Sequence, residues 1–293
     1  MIEGILLSGF GSFYTVKTSE GTVEARARGR LKKEGIKLYI GDRVELENEK
    51  GTYAIVGIKE RKNFVIRPAV ANVDQIVVVI ANASPDPNFK QIDKLLAFLE
   101  YSKLNISICI NKADLEGEFN LKEIYEKAGY KVTVISATDE NSDSSELKEI
   151  LKDKITAFAG CSGVGKSSLI NMLDCGNLCL TGEVGKINRG RHTTTHASLI
   201  ELDFGGFIAD TPGFSVVDLT KVPKEELSDC FIEFSEYSDN CKFNGCMHIG
   251  EPDCGVRDAV EKGLISKERY QSYTEIFEEL SNIYPTYRKT KGD

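Results

Sequence analysis

The chain has 293 residues, of which 41% are hydrophobic and 28% charged, the balance of a globular protein long enough for two or three domains. No apolar run reaches the roughly 18 residues of a membrane span, and Met1-Ile2-Glu3-Gly4 lacks the basic opening of a signal peptide, so a cytoplasmic protein without membrane association is expected. The net charge of −8 is uneven: residues 1–65 carry +3 and the middle of the chain is acidic, which points to polyanion contact from the N-terminal end.

Residues 1–65 contain five short β-like runs, Gly4–Leu7, Ser12–Thr18, Thr22–Ala27, Arg43–Leu46 and Tyr53–Ile58. Turn signals such as Ser19-Glu20-Gly21 and Glu49-Lys50-Gly51 separate them. Five strands in so short a span predict a small β-barrel, an OB-fold first and an SH3-like barrel second.

From Val73 the pattern changes to alternating strands and helices. Val73–Ala81, apolar but for Asp74 and Gln75, reads as a strand buried on both faces. Phe89–Tyr101 places Ile92, Leu95, Leu96 and Leu99 at helical spacing. Then follow a strand Ile106–Ile110, a helix Leu121–Ala128, a strand Val132–Ile135, a helix Ser145–Leu151, a strand Ile155–Ala159 and a helix Lys166–Leu173. Strands are expected again at Ala197–Leu202 and Gly206–Ala209. This alternation predicts a parallel sheet covered by helices. It stops after Pro223, where a Cys/His cluster is followed by a helical tail, Lys267–Tyr284, before Pro285. The expected domains are 1–65, 66–222 and 223–293.

The strand Ile155–Ala159 leads into Gly160-Cys161-Ser162-Gly163-Val164-Gly165-Lys166-Ser167-Ser168, a G-x-x-x-x-G-K-S phosphate loop opening a helix. Glycines let backbone N–H groups wrap a phosphate, and the helix N-terminus adds partial positive charge. Lys166 would reach the β- and γ-phosphates and the Ser167 hydroxyl would bind Mg²⁺.

Asn111-Lys112-Ala113-Asp114 ends the strand Ile106–Ile110, at the sheet edge where ligands bind in open α/β folds. A carboxylate there accepts from the two adjacent donors of guanine, whereas adenine presents an acceptor that Asp114 would repel. Asn111 can meet the far edge of the base and brace the phosphate loop, and the stem of Lys112 can lie along the base plane. Ser136-Ala137 follows the next strand and resembles the short Ser-Ala loop of GTPases, whose backbone N–H contacts the guanine oxygen. This base-reading motif precedes the phosphate loop, the reverse of the usual order in GTPases. The parts are complete but circularly permuted.

Asp210-Thr211-Pro212-Gly213 follows the strand Gly206–Ala209. Asp210 would hold Mg²⁺ through water and the Gly213 N–H would bond the γ-phosphate. It also reads as a β-turn, and the two readings are compatible. The next residue is Phe214, which cannot orient water by hydrogen bonding, so a low intrinsic turnover is expected. Gly182–Thr195 lies where a first switch loop belongs. Thr194 or Thr195 would complete the Mg²⁺ shell, and His192 is a candidate for positioning water or an exposed loop histidine. Arg189 and Arg191 would clamp phosphate or touch RNA.

Cys241-x₄-Cys246-x-His248-x₅-Cys254 gathers three thiols and an imidazole within 14 residues, a Cys₃His set suited to one closed, structural Zn²⁺.

With the motifs at 111–114, 160–168, 190–195, 210–214 and 241–254, essentially the whole chain resembles the bacterial ribosome small-subunit-dependent GTPase A family. The resemblance implies an N-terminal OB-fold, a circularly permuted P-loop GTPase core and a C-terminal, mostly helical zinc domain. It also implies GTP hydrolysis to GDP stimulated by the ribosome, contact with the small subunit and its rRNA, and a role in late maturation of that subunit. A monomer is expected. The run Arg26, Arg28, Arg30, Lys32, Lys33 fits an RNA-facing barrel edge, or equally a solvated strand and turn. A GTP-binding assembly scaffold without turnover, and a switch for an RNA outside the ribosome, are the competing readings.

Overall fold

In the computed structural model, residues 1–49, 51–66, 69–173, 198–214 and 219–283 are described. The first five strands, β1 (Ile2–Phe10), β2 (Phe13–Thr18), β3 (Gly21–Ala27), β4 (Arg43–Glu49) and β5 (Thr52–Ile58), close into a barrel in the order β1-β2-β3-β5-β4. Closure comes from the antiparallel β1–β4 pair, with Ile2 opposite Leu46, and β3–β5 is the parallel pair. A short helix α1 (Gly29–Lys33) lies in the connection between β3 and β4. A closed five-stranded barrel with this crossover is the OB-fold arrangement rather than the SH3-like alternative. Leu6, Val16, Ala25, Val44, Leu46 and Ile55 fill its interior, because side chains alternate between the two faces of each strand.

A hairpin that sequence pattern did not reveal, β6 (Phe64–Ile66) with β7 (Ala69–Ala71), follows the barrel, and the expected boundary near residue 65 falls within β6. Ile40 bridges to Val70, and Asn72 Nδ2 donates to Gly41 O at 2.8 Å. Gly41 has φ +85°, and a Cβ there would stand 2.1 Å from the Ala71 carbonyl oxygen, so only glycine fits. The fully buried Asp42 accepts Arg61 Nε at 2.6 Å and the Tyr39 N–H at 2.8 Å. Arg61 also lies over the rings of Tyr39 and Phe64.

The alternating region forms β8 (Gln75–Ala81), α2 (Phe89–Tyr101), β9 (Ile106–Asn111), α3 (Leu121–Lys127), β10 (Lys131–Val134), α4 (Ser145–Leu151), β11 (Ile155–Ala159), α5 (Lys166–Leu173), β12 (Ser198–Glu201) and β13 (Phe207–Phe214). The six strands order as β10-β9-β8-β11-β13-β12. The pairs β10–β9 and β11–β13 are parallel and β12 is antiparallel to β13. All seven residues of β8 are buried: residues 76–81 form an unbroken apolar run, and the Gln75 amide donates to Ile150 O at 2.7 Å and Thr156 Oγ1 at 2.9 Å.

β13 is longer than the expected Gly206–Ala209. Ala157 of β11 faces Ala209, but two residues on Ala159 faces Phe214, so residues 210–213 form a bulge in the β11–β13 pairing, while Asp210 still pairs with Ser198 of β12. The turn read from Pro212 and Gly213 is thus set inside a strand rather than after it.

The C-terminal region runs through four 3₁₀ turns between Leu219 and Phe234, then α6 (Ser235–Ser238), α7 (Gly255–Glu261) and α8 (Lys267–Ile283). Phe231, Phe234, Val256, Tyr273, Ile276 and Leu280 make its core, joined by Ala97 of α2. By contacts the chain divides into two compact units. One holds Met1–Val77, Glu140–Ala159 and Lys166–Phe214; the other holds Val78–Asp139, Gly160–Gly165 and Ser215–Asp293. Among the described residues, no helix is long and apolar enough to cross a membrane.

Candidate nucleotide site and metal centre

Asn111 is the last residue of β9 and only 1% exposed. Its Nδ2 donates to the Val164 carbonyl at 2.9 Å, and its Oδ1 accepts the Ala137 N–H at 3.0 Å. One buried amide therefore ties the base-reading segment to Gly160–Gly165 and to the loop after β10. The fit is tight: Gly165 has φ +95°, and a Cβ on it would approach Asn111 Nδ2 to 2.1 Å. Gly160 is similarly required, since a Cβ there would meet the Val79 carbonyl oxygen at 2.3 Å.

Ala113 N donates to Ile135 O at 3.2 Å, and Lys112, in the left-handed region at φ +60°, extends its ammonium to the Ser84 carbonyl. The Ser136 hydroxyl donates to Asp114 Oδ1 at 2.5 Å. A Ser-Ala dipeptide by itself gives no sign of this bond in the sequence. An acceptor-only carboxylate one loop away from a hydroxyl is the signal that could have suggested it. Cys161 Sγ lies 3.4 Å from Gln91 Oε1 on α2, and a cavity of about 370 Å³ opens between Gly160–Ser162 and residues 85–92. Lys166, Ser167 and Ser168 open α5 directly after Gly165, so the loop runs into a helix N-terminus as the motif requires.

The remaining sequence-derived residues divide in two. Asp210 and Gly213 lie in β13, in the stretch between its two pairings with β11, with Asp210 opposite Ser198 of β12. Arg189, Arg191, His192, Thr194 and Thr195 lie outside the described residues. In the basic run, Arg26 stacks over Phe13, Arg28 pairs with Glu47 and Arg30 pairs with Glu34. Three of its five cations are thus engaged by neighbours.

The donor atoms of Cys241, Cys246, His248 and Cys254 all lie within 4.8 Å of one another. Cys241 Sγ and Cys254 Sγ are 3.9 Å apart, and His248 Nδ1 is 3.5 Å and 3.4 Å from them. A zinc tetrahedron with ordinary Zn–S and Zn–N bonds has edges of about 3.8 Å between sulfurs and about 3.5 Å from sulfur to nitrogen. The donor set fits such an ion. Burial pushes the Cys246 thiol up to about 12 and lowers the His248 pKa, which favours a neutral imidazole, the form able to bind a metal, and keeps the thiol protonated unless a cation is present.

The surrounding loop is held as firmly as the ligands. Burial acts to raise the Glu251 pKa, but the N–H groups around its carboxylate bring it down to about 2. Tyr270 and Tyr273 of α8 donate to the carbonyls of His248 and Met247 at 2.7 Å and 2.5 Å.

Two family models account for most of the chain: RsgA GTPase matches residues 58–220 and the RsgA N-terminal domain matches residues 3–56. The chain belongs to the RsgA GTPase family. It is therefore a GTPase, a hydrolase acting on GTP. A small ribosomal subunit biogenesis GTPase RsgA from Caldanaerobacter subterraneus subsp. tengcongensis is 46% identical, over 95% of this chain and 96% of that protein. One from Clostridium perfringens is 44% identical, over 96% and 99%. Among solved structures, YjeQ from Thermotoga maritima superposes with a TM-score of 0.76 at 38% identity, covering 95% of this chain and 98% of that one. YloQ, a circularly permuted GTPase, gives 0.78 at 34% identity, covering 98% of each. RsgA membership agrees with the permuted motif order, the OB barrel and the C-terminal helices around a Cys/His cluster.

Proposed function

We propose that this chain acts on the small ribosomal subunit in the cytoplasm, assisting its late maturation, and hydrolyses GTP to GDP and phosphate with stimulation by that subunit. The observation that carries the reading is the Asn111 amide, which joins the base-reading segment, the phosphate loop and the loop at Ser136-Ala137. Its relatives' name, small ribosomal subunit biogenesis GTPase, supports the partner.

In this reading Asp114 accepts from guanine, Lys112 flanks the base, and Ala113, Ser136 and Ala137 complete its pocket. Residues 160–168 wrap the phosphates, with Lys166 on the β- and γ-phosphates and the Gly213 N–H on the γ-phosphate. Ser167, Thr194 or Thr195, and Asp210 through water would hold Mg²⁺, which supplies charge neutralisation at the phosphates. His192 positions the attacking water, a task Phe214 cannot perform by hydrogen bonding. Cys241, Cys246, His248 and Cys254 hold one structural Zn²⁺, which contributes folding energy to the loop that carries them. The barrel, residues 1–65, meets rRNA; residues 66–222 are the GTPase domain and 223–293 the zinc domain of a monomer.

The test is GTP turnover with and without purified small subunits, together with co-sedimentation in a non-hydrolysable GTP analogue. Slow turnover alone and a large rise with subunits are expected. Co-sedimentation without stimulation would point to a scaffold, and failure to co-sediment would remove the ribosomal partner.

A further inference from the structure

His248 carries its metal-facing nitrogen on backbone that a non-glycine residue seldom adopts, with φ +57°. That conformation turns successive N–H groups of residues 247–250 inward. Glu251 closes the concavity they form. Its Oε1 accepts the Met247 N–H at 2.9 Å, and its Oε2 accepts those of Ile249 at 3.0 Å and Gly250 at 3.1 Å. On the other side of the same peptides, Tyr273 and Tyr270 bind the Met247 and His248 carbonyls. Both peptide units flanking the histidine are therefore fixed by side chains that touch no metal. The Phe234 ring meets the imidazole edge-on, with centroids 5.8 Å apart.

We infer that Glu251, with Tyr270 and Tyr273, is a positioning group for the metal site: it holds the 247–250 loop in the one conformation that directs His248 Nδ1 at the three sulfurs. This rests on the zinc reading proposed above. A loop free to relax from the left-handed conformation would withdraw the imidazole, leaving three thiolates and solvent. Groups that orient a ligand typically change metal affinity by about 10- to 100-fold when removed.

The experiment uses the full chain, with zinc affinity measured by competition against a chromophoric chelator and Co²⁺ substitution read in the visible spectrum. Wild type is expected to bind one ion with a tetrahedral Co²⁺ spectrum. E251Q, whose amide would turn an N–H donor toward backbone N–H groups, is expected to bind about 10- to 100-fold more weakly with an altered spectrum, while its affinity for a fluorescent GDP analogue is unchanged. The double variant Y270F/Y273F keeps the rings and removes both hydroxyls, and is expected to move in the same direction; it decides the matter if E251Q does not fold. Wild-type affinity and spectrum in E251Q, or in the double variant where it decides, overturn the positioning role alone. Wild type binding no metal overturns the zinc reading, and this inference with it.

Discussion

Asp114 does not stand alone at the end of β9: the Ser136 hydroxyl donates to Oδ1 and is itself 3.4 Å from Thr138 Oγ1. A hydrogen bond to a charged acceptor contributes about 1.5–3 kcal/mol net. Replacing Ser136 with alanine leaves the carboxylate free to rotate away from the base, so GDP affinity should fall roughly tenfold, about 1.4 kcal/mol. Competition by ATP against a fluorescent GDP analogue should also become easier to detect. Unchanged affinity and selectivity in S136A would show that the carboxylate is held by other means. Asn111 and Asp114 stand out in the sequence because the donor and acceptor chemistry proposed for each position restricts it to one side chain. The Ser136–Asp114 bond does not, since a Ser-Ala dipeptide carries no pattern until the fold sets its hydroxyl beside Asp114.

Between elements, the least sequence-legible feature is Arg269 of α8, which reads as one more charge on an amphipathic tail yet is 1% exposed. It donates to both carboxylate oxygens of Glu233 at 2.8 Å and to Asp93 Oδ1 of α2 at 2.6 Å. Asp93 Oδ2 has no hydrogen-bond partner among the described residues. Burial acts to lower the Arg269 pKa, but the two carboxylates hold it well above its ordinary value; burial raises that of Asp93 against the pull of Arg269. R269M would strand two buried carboxylates and should cost about 3–5 kcal/mol in urea unfolding, the range for breaking a buried pair. D93N should cost less, because the bidentate Arg269–Glu233 pair survives. The pH dependence supplies a second check. With its folded pKa above the unfolded one, Asp93 holds more protons in the native state, so its contribution is full at acid pH and is lost as pH rises through the raised value. The stability of D93N relative to wild type should therefore improve from the ordinary carboxylate range upward. A flat difference would mean that Asp93 titrates normally.

At the scale of the molecule, permutation works because each motif keeps its own strand and following loop, whatever the chain order. Strand alternation, the long apolar run of β8 and the two motifs made the sheet legible. The β6–β7 hairpin escaped because three-residue strands carry too little periodicity, and the β13 bulge because Pro and Gly signal a turn without saying that pairing resumes beyond it. The barrel bears on the same logic. Its five strands close on one another, β1 pairing with both β2 and β4, so the barrel's backbone ladder is complete in itself, and Lys17 of β2 reaches Glu201 of β12 through a side-chain ion pair at 2.7 Å. Its ties to the following hairpin are different: Asp42 to Arg61, Gly41 to Asn72 and Ile40 to Val70, where Val70 is fully buried. A chain beginning at Lys59 should keep the Asn111–Val164 brace and bind a fluorescent GDP analogue within about twofold of wild type. It should melt at a lower temperature, because Val70 becomes exposed and Arg61 loses its buried partner. If the barrel is the rRNA-facing part, co-sedimentation with small subunits and stimulated turnover should both be lost while basal turnover remains. Retained stimulation would move the ribosomal contact to the rest of the chain, and loss of GDP binding would mean that the closed barrel is nonetheless integral to the nucleotide site.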